Sequence, residues 1–376
     1  MTTFRLDESA GPGTHVFIVG VGAYPHLLGG GGKQVTNAMG MGQLTSPPLS
    51  ALEILKWTDG ELNNPYAPLK SLEVLISQPF PLSFTDKQGH TATIDGATYQ
   101  NFEDAALAWY TRLSSDPDNV AVFYFCGHGL GDGLNSQLLL EDYGRSSRPL
   151  RHAINFAAFR LAMTACKSTR QLFLLDACRV VDPTMLLDPF NMGDSGLPPG
   201  NVLTMGKNIA NPVIYAARNG EQAFGPPAAV SYFTQALMVG LSSCGVYHAK
   251  GSRWSVSPMQ LNEAIAAQLD DFTGKPQCPS DGLVGTPFEI HVLTKAPEVV
   301  VHVSLTNPAG QASASIRALC SGKVFQRNKP DHPWRTFLPM GDCNVEAVFP
   351  AASAYKAVPR SISLTPPWQE IELEVL

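Results

Sequence analysis

The 376-residue sequence predicts an α/β layered fold: a mostly parallel sheet flanked by helices, followed by a small all-β sandwich. Three observations predict it. Between His15 and Leu293, short runs that are apolar on both faces alternate with amphipathic helical stretches. Parallel strands covered by helices on both sides have that texture. Second, the helix candidate Phe156–Cys166 stands between two such runs, where a right-handed crossover makes neighbouring strands parallel. Third, the period changes after Lys295, where Val299, Val301, Val303 and Leu305 alternate with polar residues and no helical period follows.

In chain order, residues 1–13 read as a polar N-terminal tail without the apolar core of a signal peptide. The expected strands are His15–Val21, Leu72–Ile76, Val120–Cys126, Gln171–Ala177, Pro212–Ala217 and Phe288–Leu293. The expected helices are Leu49–Leu62, Asn101–Leu113, Phe156–Cys166 and Val230–Leu241. Asn101–Leu113 is the most regular, with Phe102, Ala105, Ala106, Trp109 and Leu113 on one stripe. Ser257 caps a further helix, with Pro258 in its first position and Gln260 placed to close a capping box. Gly29–Gly32 opens a loop in the first crossover. Val181–Asn211, with four prolines and four glycines, is a loop long enough to be functional or mobile. These elements divide the chain into an α/β domain over 14–294 and a β sandwich over 295–376.

Composition narrows the function classes. An apolar fraction of 44 % with 15 % charged residues supplies a large core and excludes a disordered chain. The net charge is −6, with neither the basic stripe of a nucleic-acid binder nor the Lys/Arg cluster of a membrane anchor. Apolar runs are strand-sized, far below the ~20 residues of a membrane helix. The seven cysteines sit largely inside apolar runs and read as free buried thiols of a reducing cytoplasm. Zinc spacing is absent. Gly20-Val21-Gly22 reads as a tight strand end, since the third glycine and the acid of a dinucleotide loop are out of register.

Chemistry concentrates at two strand ends. Phe123-Tyr124-Phe125-Cys126-Gly127-His128-Gly129 sets a histidine between glycines just beyond a buried strand. Fifty residues later, Leu174-Leu175-Asp176-Ala177-Cys178-Arg179 sets a cysteine at the end of the next one. If the strands are parallel neighbours, both side chains emerge at the carboxyl edge where open α/β sheets build their sites. An imidazole there can take the thiol proton and return it to a leaving amine. The N–H groups of Gly129 and Cys178 can serve a developing oxyanion, and glycine lets a scissile carbonyl approach. Alone, Cys178 would be a buried structural thiol; paired with His128 it reads as a nucleophile. Asp176 either faces substrate, caps a turn or pairs with Arg179.

These motifs resemble the caspase and metacaspase family. Asp176-Ala177-Cys178-Arg179 stands where animal caspases carry Gln-Ala-Cys-Arg, and the histidine-to-cysteine spacing matches the family's ~50 residues. Phe17–Tyr24 and Phe233–Leu237 also resemble bacterial caspase-like domains, so the likeness spans about Thr14–Leu293. It implies a cysteine endopeptidase acting on protein substrates, with an upstream activating protease or a regulatory partner. No organic cofactor is implied. Some metacaspases need calcium, but no calcium-binding cluster stands out here. Asp176 replaces the glutamine of animal caspases, as in metacaspases. A carboxylate there implies cleavage after Arg or Lys, with Glu221 as the candidate second acid. Standalone bacterial members suggest a role in defence or regulated death. The competing reading is a caspase-like scaffold whose β domain recruits partners.

Overall fold

The computed structural model describes residues 2–131, 136–181, 193–199, 209–218, 220–249, 253–273, 280–281, 287–311, 313–327 and 333–376. The chain divides into two compact units, Met1–Gln235 with Leu269–Ile290, and Ala236–Gln268 with His291–Leu376. The expected sandwich over 295–376 is thus joined by residues 236–268. Most of the long loop expected over Val181–Asn211, Lys207 included, lies outside the described residues.

The first unit is built on a seven-stranded sheet. Its strands run, from one edge to the other, Thr2–Leu6, Leu69–Ser77, Thr14–Val21, Val120–Gly127, Arg170–Ala177, Val213–Tyr215 and Ser280–Asp281. The inner pairs are parallel, and the two edge strands are antiparallel to their neighbours. We call Val120–Gly127 the histidine strand and Arg170–Ala177 the cysteine strand. The sheet is flanked by helices, as the alternating texture predicts.

Side-chain alternation decides which face each helix covers. Phe17, Val19 and Val21 point toward helix α2 (Tyr99–Leu113) and helix α3 (Phe156–Met163) in one aromatic cluster. There the Phe17 ring lies 5.2 Å from Phe102, and Trp109 stacks on Phe159 at 6.3 Å. Truncating one of these buried rings to alanine would cost about 3–5 kcal/mol. The opposite face takes helix α1 (Ser46–Gly60), which approaches so closely that a Cβ on Gly20 would sit 2.5 Å from the Ala51 methyl. Caps fix where two helices begin: the Thr98 hydroxyl accepts from Asn101 N at 3.3 Å, and Asn155 Oδ1 from Ala158 N at 3.1 Å.

Three expectations need correction. The polar tail over 1–13 contains the edge strand Thr2–Leu6, which pairs with Leu69–Ser77. Only Thr2 and Phe4 of its side chains are buried, and the Phe4 partner, Phe84 at 5.2 Å, is distant in sequence, so local polarity concealed it. Phe288–Leu293 does not join the central sheet. Its two strand residues, His291–Val292, pair with Arg253–Val256 in a small sheet of the second unit, because an apolar run signals burial and not the partner. The cysteines are not all free thiols. Cys320 and Cys343 form a disulfide between directly opposed residues of neighbouring strands, while Cys126, Cys166, Cys178 and Cys244 stand outside any disulfide. A separation of 23 residues hides a pairing that only the strand register creates.

In the second unit two sheets face each other as a sandwich. One runs Trp334–Pro339, Glu298–Leu305, Trp368–Leu373; the other Lys323–Gln326, Ser315–Cys320, Gly341–Val348, Arg360–Leu364. Val299, Val301, Val303, Ile316, Val345 and Ile371 fill the space between them. Val300, on the other face of its strand, packs with Cys244 and Ala264, which explains why 236–268 belongs to this unit. Among the described residues, no helix is long and apolar enough to cross a membrane.

Candidate active site

Strand register brings the two motifs together. Along the whole histidine and cysteine strands each residue faces the one fifty positions earlier, from Arg170 opposite Val120 to Ala177 opposite Gly127. The same offset resumes in a small second sheet, where Val180 faces Leu130 and Val181 faces Gly131. His128 and Cys178 fall between the two pairings, side by side and outside both. With Asp176 they line a cavity of about 390 Å³ whose walls include Gln43, Phe224 and Ser231.

His128 is held from three sides. Its Nε2 is 2.8 Å from the Gly42 carbonyl, and because a carbonyl only accepts, Nε2 carries the proton and Nδ1 is left with the lone pair. Its backbone N–H donates to the Tyr24 hydroxyl at 2.8 Å, and that hydroxyl donates on to Leu139 O at 3.3 Å. The Tyr24 ring lies 4.9 Å from the imidazole. Burial lowers the His128 pKa, partly countered by the Gly42 bond, so the ring rests neutral.

Cys178 rests as a thiol. Burial raises its pKa, against a weaker opposing effect of the Ala223 backbone, and Sγ donates to the Ala223 carbonyl at 3.7 Å, a contact that itself favours the protonated thiol. No hydrogen bond joins the thiol to His128 in this structure. Catalytic hydrogen bonds commonly tighten only in the substrate complex.

Asp176 is buried at the start of helix α4 (Tyr232–Val239). Four donors converge on its Oδ2: Ser231 Oγ, Thr234 Oγ1 at 2.9 Å, Cys126 Sγ at 3.3 Å and Tyr124 OH at 3.4 Å. Oδ1 accepts from none of them. Burial raises the carboxyl pKa and the four donors work against it. The alternative partner of Asp176, Arg179, instead lies over the Tyr215 ring at 4.1 Å.

Gly129 occupies a position only glycine fits. A Cβ there would stand 2.5 Å from the Cys178 carbonyl oxygen and 3.0 Å from the Ala177 methyl. Opposite it across the small sheet is Leu138, but the ladder bond runs from Leu139 N to His128 O at 3.0 Å. Gly129 and Leu138 are therefore a non-hydrogen-bonded pair, and this pairing leaves the Gly129 N–H unused. Glu221 is not brought to the cavity. Its backbone pairs with Arg179, and its Oε2 is buried without a hydrogen-bond partner.

Residues 73–280 match the family model for the caspase domain, Peptidase_C14. The chain belongs to that family. It is a caspase-like cysteine peptidase by family. Over a 262-residue alignment that covers 65 % of this chain and 71 % of the other, the chain is 29 % identical to the uncharacterized protein y4kE of Sinorhizobium fredii (strain NBRC 101917 / NGR234). Among solved structures, the crystal structure of caspase-1 from Spodoptera frugiperda aligns over 77 % of this chain and 97 % of its own, with a TM-score of 0.41 and 11 % identity.

In this caspase-like peptidase, several positioning groups escape sequence reading. Gly42 and Ala223 act through backbone carbonyls and leave no side-chain signal. Ser231 and Thr234 lie more than fifty residues from Asp176 and meet it only through the fold. Tyr24 closes the Phe17–Tyr24 motif, so its presence was legible although its contact with His128 was not.

Proposed function

We propose that the protein is an endopeptidase cleaving after Arg or Lys, with Cys178 as nucleophile and His128 as acid–base. The observation that supports this best is the unbroken fifty-residue offset on both sides of His128 and Cys178. In this reading Nδ1 takes the Cys178 proton as Sγ attacks the scissile carbonyl. The N–H groups of Gly129 and Cys178 receive the oxyanion. The imidazolium then protonates the departing amine, leaving a thioester that water hydrolyses with Nδ1 as base.

Asp176 supplies the specificity. Its Oδ1 is the one carboxylate oxygen left for an incoming group, and no lysine or arginine is among the described residues lining the cavity. A substrate guanidinium or ammonium would offset the cost of burying that charge. A protein substrate and an activating protease or regulatory partner go with this reading, as does a role as an effector protease in bacterial defence. The Cys320–Cys343 disulfide argues against the reducing cytoplasm expected from the other cysteines.

Fluorogenic peptides ending in Arg, Lys or Asp test the proposal. Cleavage after Arg and Lys by the native chain, lost in Cys178→Ala, is the expected result. Cleavage after Asp would remove the role given to Asp176. No cleavage of any peptide, with or without calcium, would favour the scaffold reading.

A further inference from the structure

A cavity of about 470 Å³ opens on the first unit and shares no lining residue with the one at Cys178. Two loop segments form it, 33–37 and 143–150. They touch at its floor, where a Cβ on Gly144 would stand 2.1 Å from Val35 Cγ1; Gly144, at φ +85°, is also in the left-handed region that favours glycine.

The lining has one sign of charge. Lys33 and Arg145 both contribute, no aspartate or glutamate does, and neither cation enters an ion pair among the described residues. In a chain of net charge −6, two unpaired cations sharing one cleft are not the by-product of a basic surface. Gln34, Thr36 and Ser147 add polar side chains that make no hydrogen bond among the described residues. An arginine fork and a lysine point charge beside uncommitted polar groups suit phosphoryl oxygens, and the volume lies in the range of small-molecule sites.

We propose that this cleft binds a phosphate-bearing small molecule through Lys33 and Arg145, and that its occupancy is felt at His128. The connection is the loop between Tyr24 and Gln43. His26 Nδ1 bonds the Lys33 carbonyl at 2.9 Å, and Val35 N donates to the His26 carbonyl at 3.0 Å. Gln43 Nε2 donates to the Tyr24 and Leu28 carbonyls at 2.9 and 3.0 Å, and Gln43 Oε1 accepts from Tyr24 N at 2.8 Å. The loop is therefore knit into one body. It carries Lys33 at one place and, at another, the Gly42 carbonyl that holds the imidazole. A ligand drawing Lys33 toward Arg145 acts on the same body.

Calorimetric titration of the full chain with pyrophosphate and with ATP tests the site. The native chain should bind at least one of them saturably. Lys33→Ala/Arg145→Ala should bind at least tenfold more weakly, whereas Arg151→Ala, an exposed arginine outside the cleft, should bind as the native chain does. Unliganded melting curves establish that each variant is folded, with Lys33→Gln replacing the double variant if that one is not. Hydrogen exchange over residues 36–44 should slow when pyrophosphate or ATP is bound. No saturable binding, equal affinity in the double variant, or binding of a glutamate-rich peptide in place of both phosphates would overturn the site. Unchanged exchange in the saturated protein would overturn its link to His128.

Discussion

The C-terminal sandwich and the reactive edge of the central sheet use strand pairing in opposite ways. In the sandwich, Ser315–Cys320 pairs without interruption from Ser315 opposite Val348 to Cys320 opposite Cys343, and the disulfide closes the end of that ladder. Its side chains alternate strictly between exposed and buried. At the reactive edge the histidine and cysteine strands keep an equally constant offset, but their pairing lapses at His128–Gly129 and at Cys178–Arg179 before resuming at Leu130 and Val180. The lapse frees N–H groups and side chains that the core does not need, while the pairing on both sides holds them in place. A site on a rigid sheet needs both conditions: fixed register, and a gap in the ladder where chemistry can reach the backbone.

The largest expected effect comes from filling that gap. Gly129→Ala pushes a methyl into the Cys178 carbonyl and misplaces the oxyanion N–H groups. kcat should fall by about 10²–10³, the usual cost of losing one oxyanion donor, with a native-like circular dichroism spectrum and a melting temperature lowered by the clash with the Cys178 backbone. An unchanged kcat would mean that the reactive edge tolerates what its geometry forbids. Next in size is Asp176→Asn, which removes the charge and keeps the shape. Discrimination for Arg over a neutral residue should drop by ~10² or more, in line with about 2–5 kcal/mol for a desolvated charge pair, seen as the ratio of kcat/KM values across a peptide panel. The smallest effect on catalysis belongs to the sandwich. Cys320→Ser/Cys343→Ser should cost about 3 kcal/mol of stability for a loop of that size, measured by denaturant melts, and leave kcat/KM unaltered.

The two regions also differ in how legible they were. The parallel core could be read because its strands are apolar on both faces, as Val120–Gly127 is throughout, and because α2 carries its stripe in full view. The sandwich strands of strict alternation were equally plain at Val299–Leu305. Elements made by distant partners were not. Thr2–Leu6 looks like a polar tail until Phe4 meets Phe84, and the cysteines of the disulfide have no local spacing signal. At the site, the side chains proposed to react are visible in the motifs. The groups that orient them are not, because Gly42 and Ala223 contribute carbonyls, and Ser231 and Thr234 arrive on a helix from elsewhere in the chain. Glu221 shows the converse: an acid at a plausible sequence distance whose backbone pairs with Arg179 and which is not among the residues lining the cavity.

The role proposed for Cys178, and not for its buried neighbour Cys126, is that of the nucleophile served by His128 and aimed by Asp176. Its most direct test is covalent labelling with a peptidyl-arginine chloromethyl ketone followed by peptide mapping in a mass spectrometer. A single adduct on Cys178 and none on Cys126 is the expected result. Labelling should be strongly slowed in His128→Ala, and in the native chain it should outpace labelling by the corresponding aspartate reagent. An adduct on another cysteine, equal labelling without His128, or faster reaction with the aspartate reagent would contradict it.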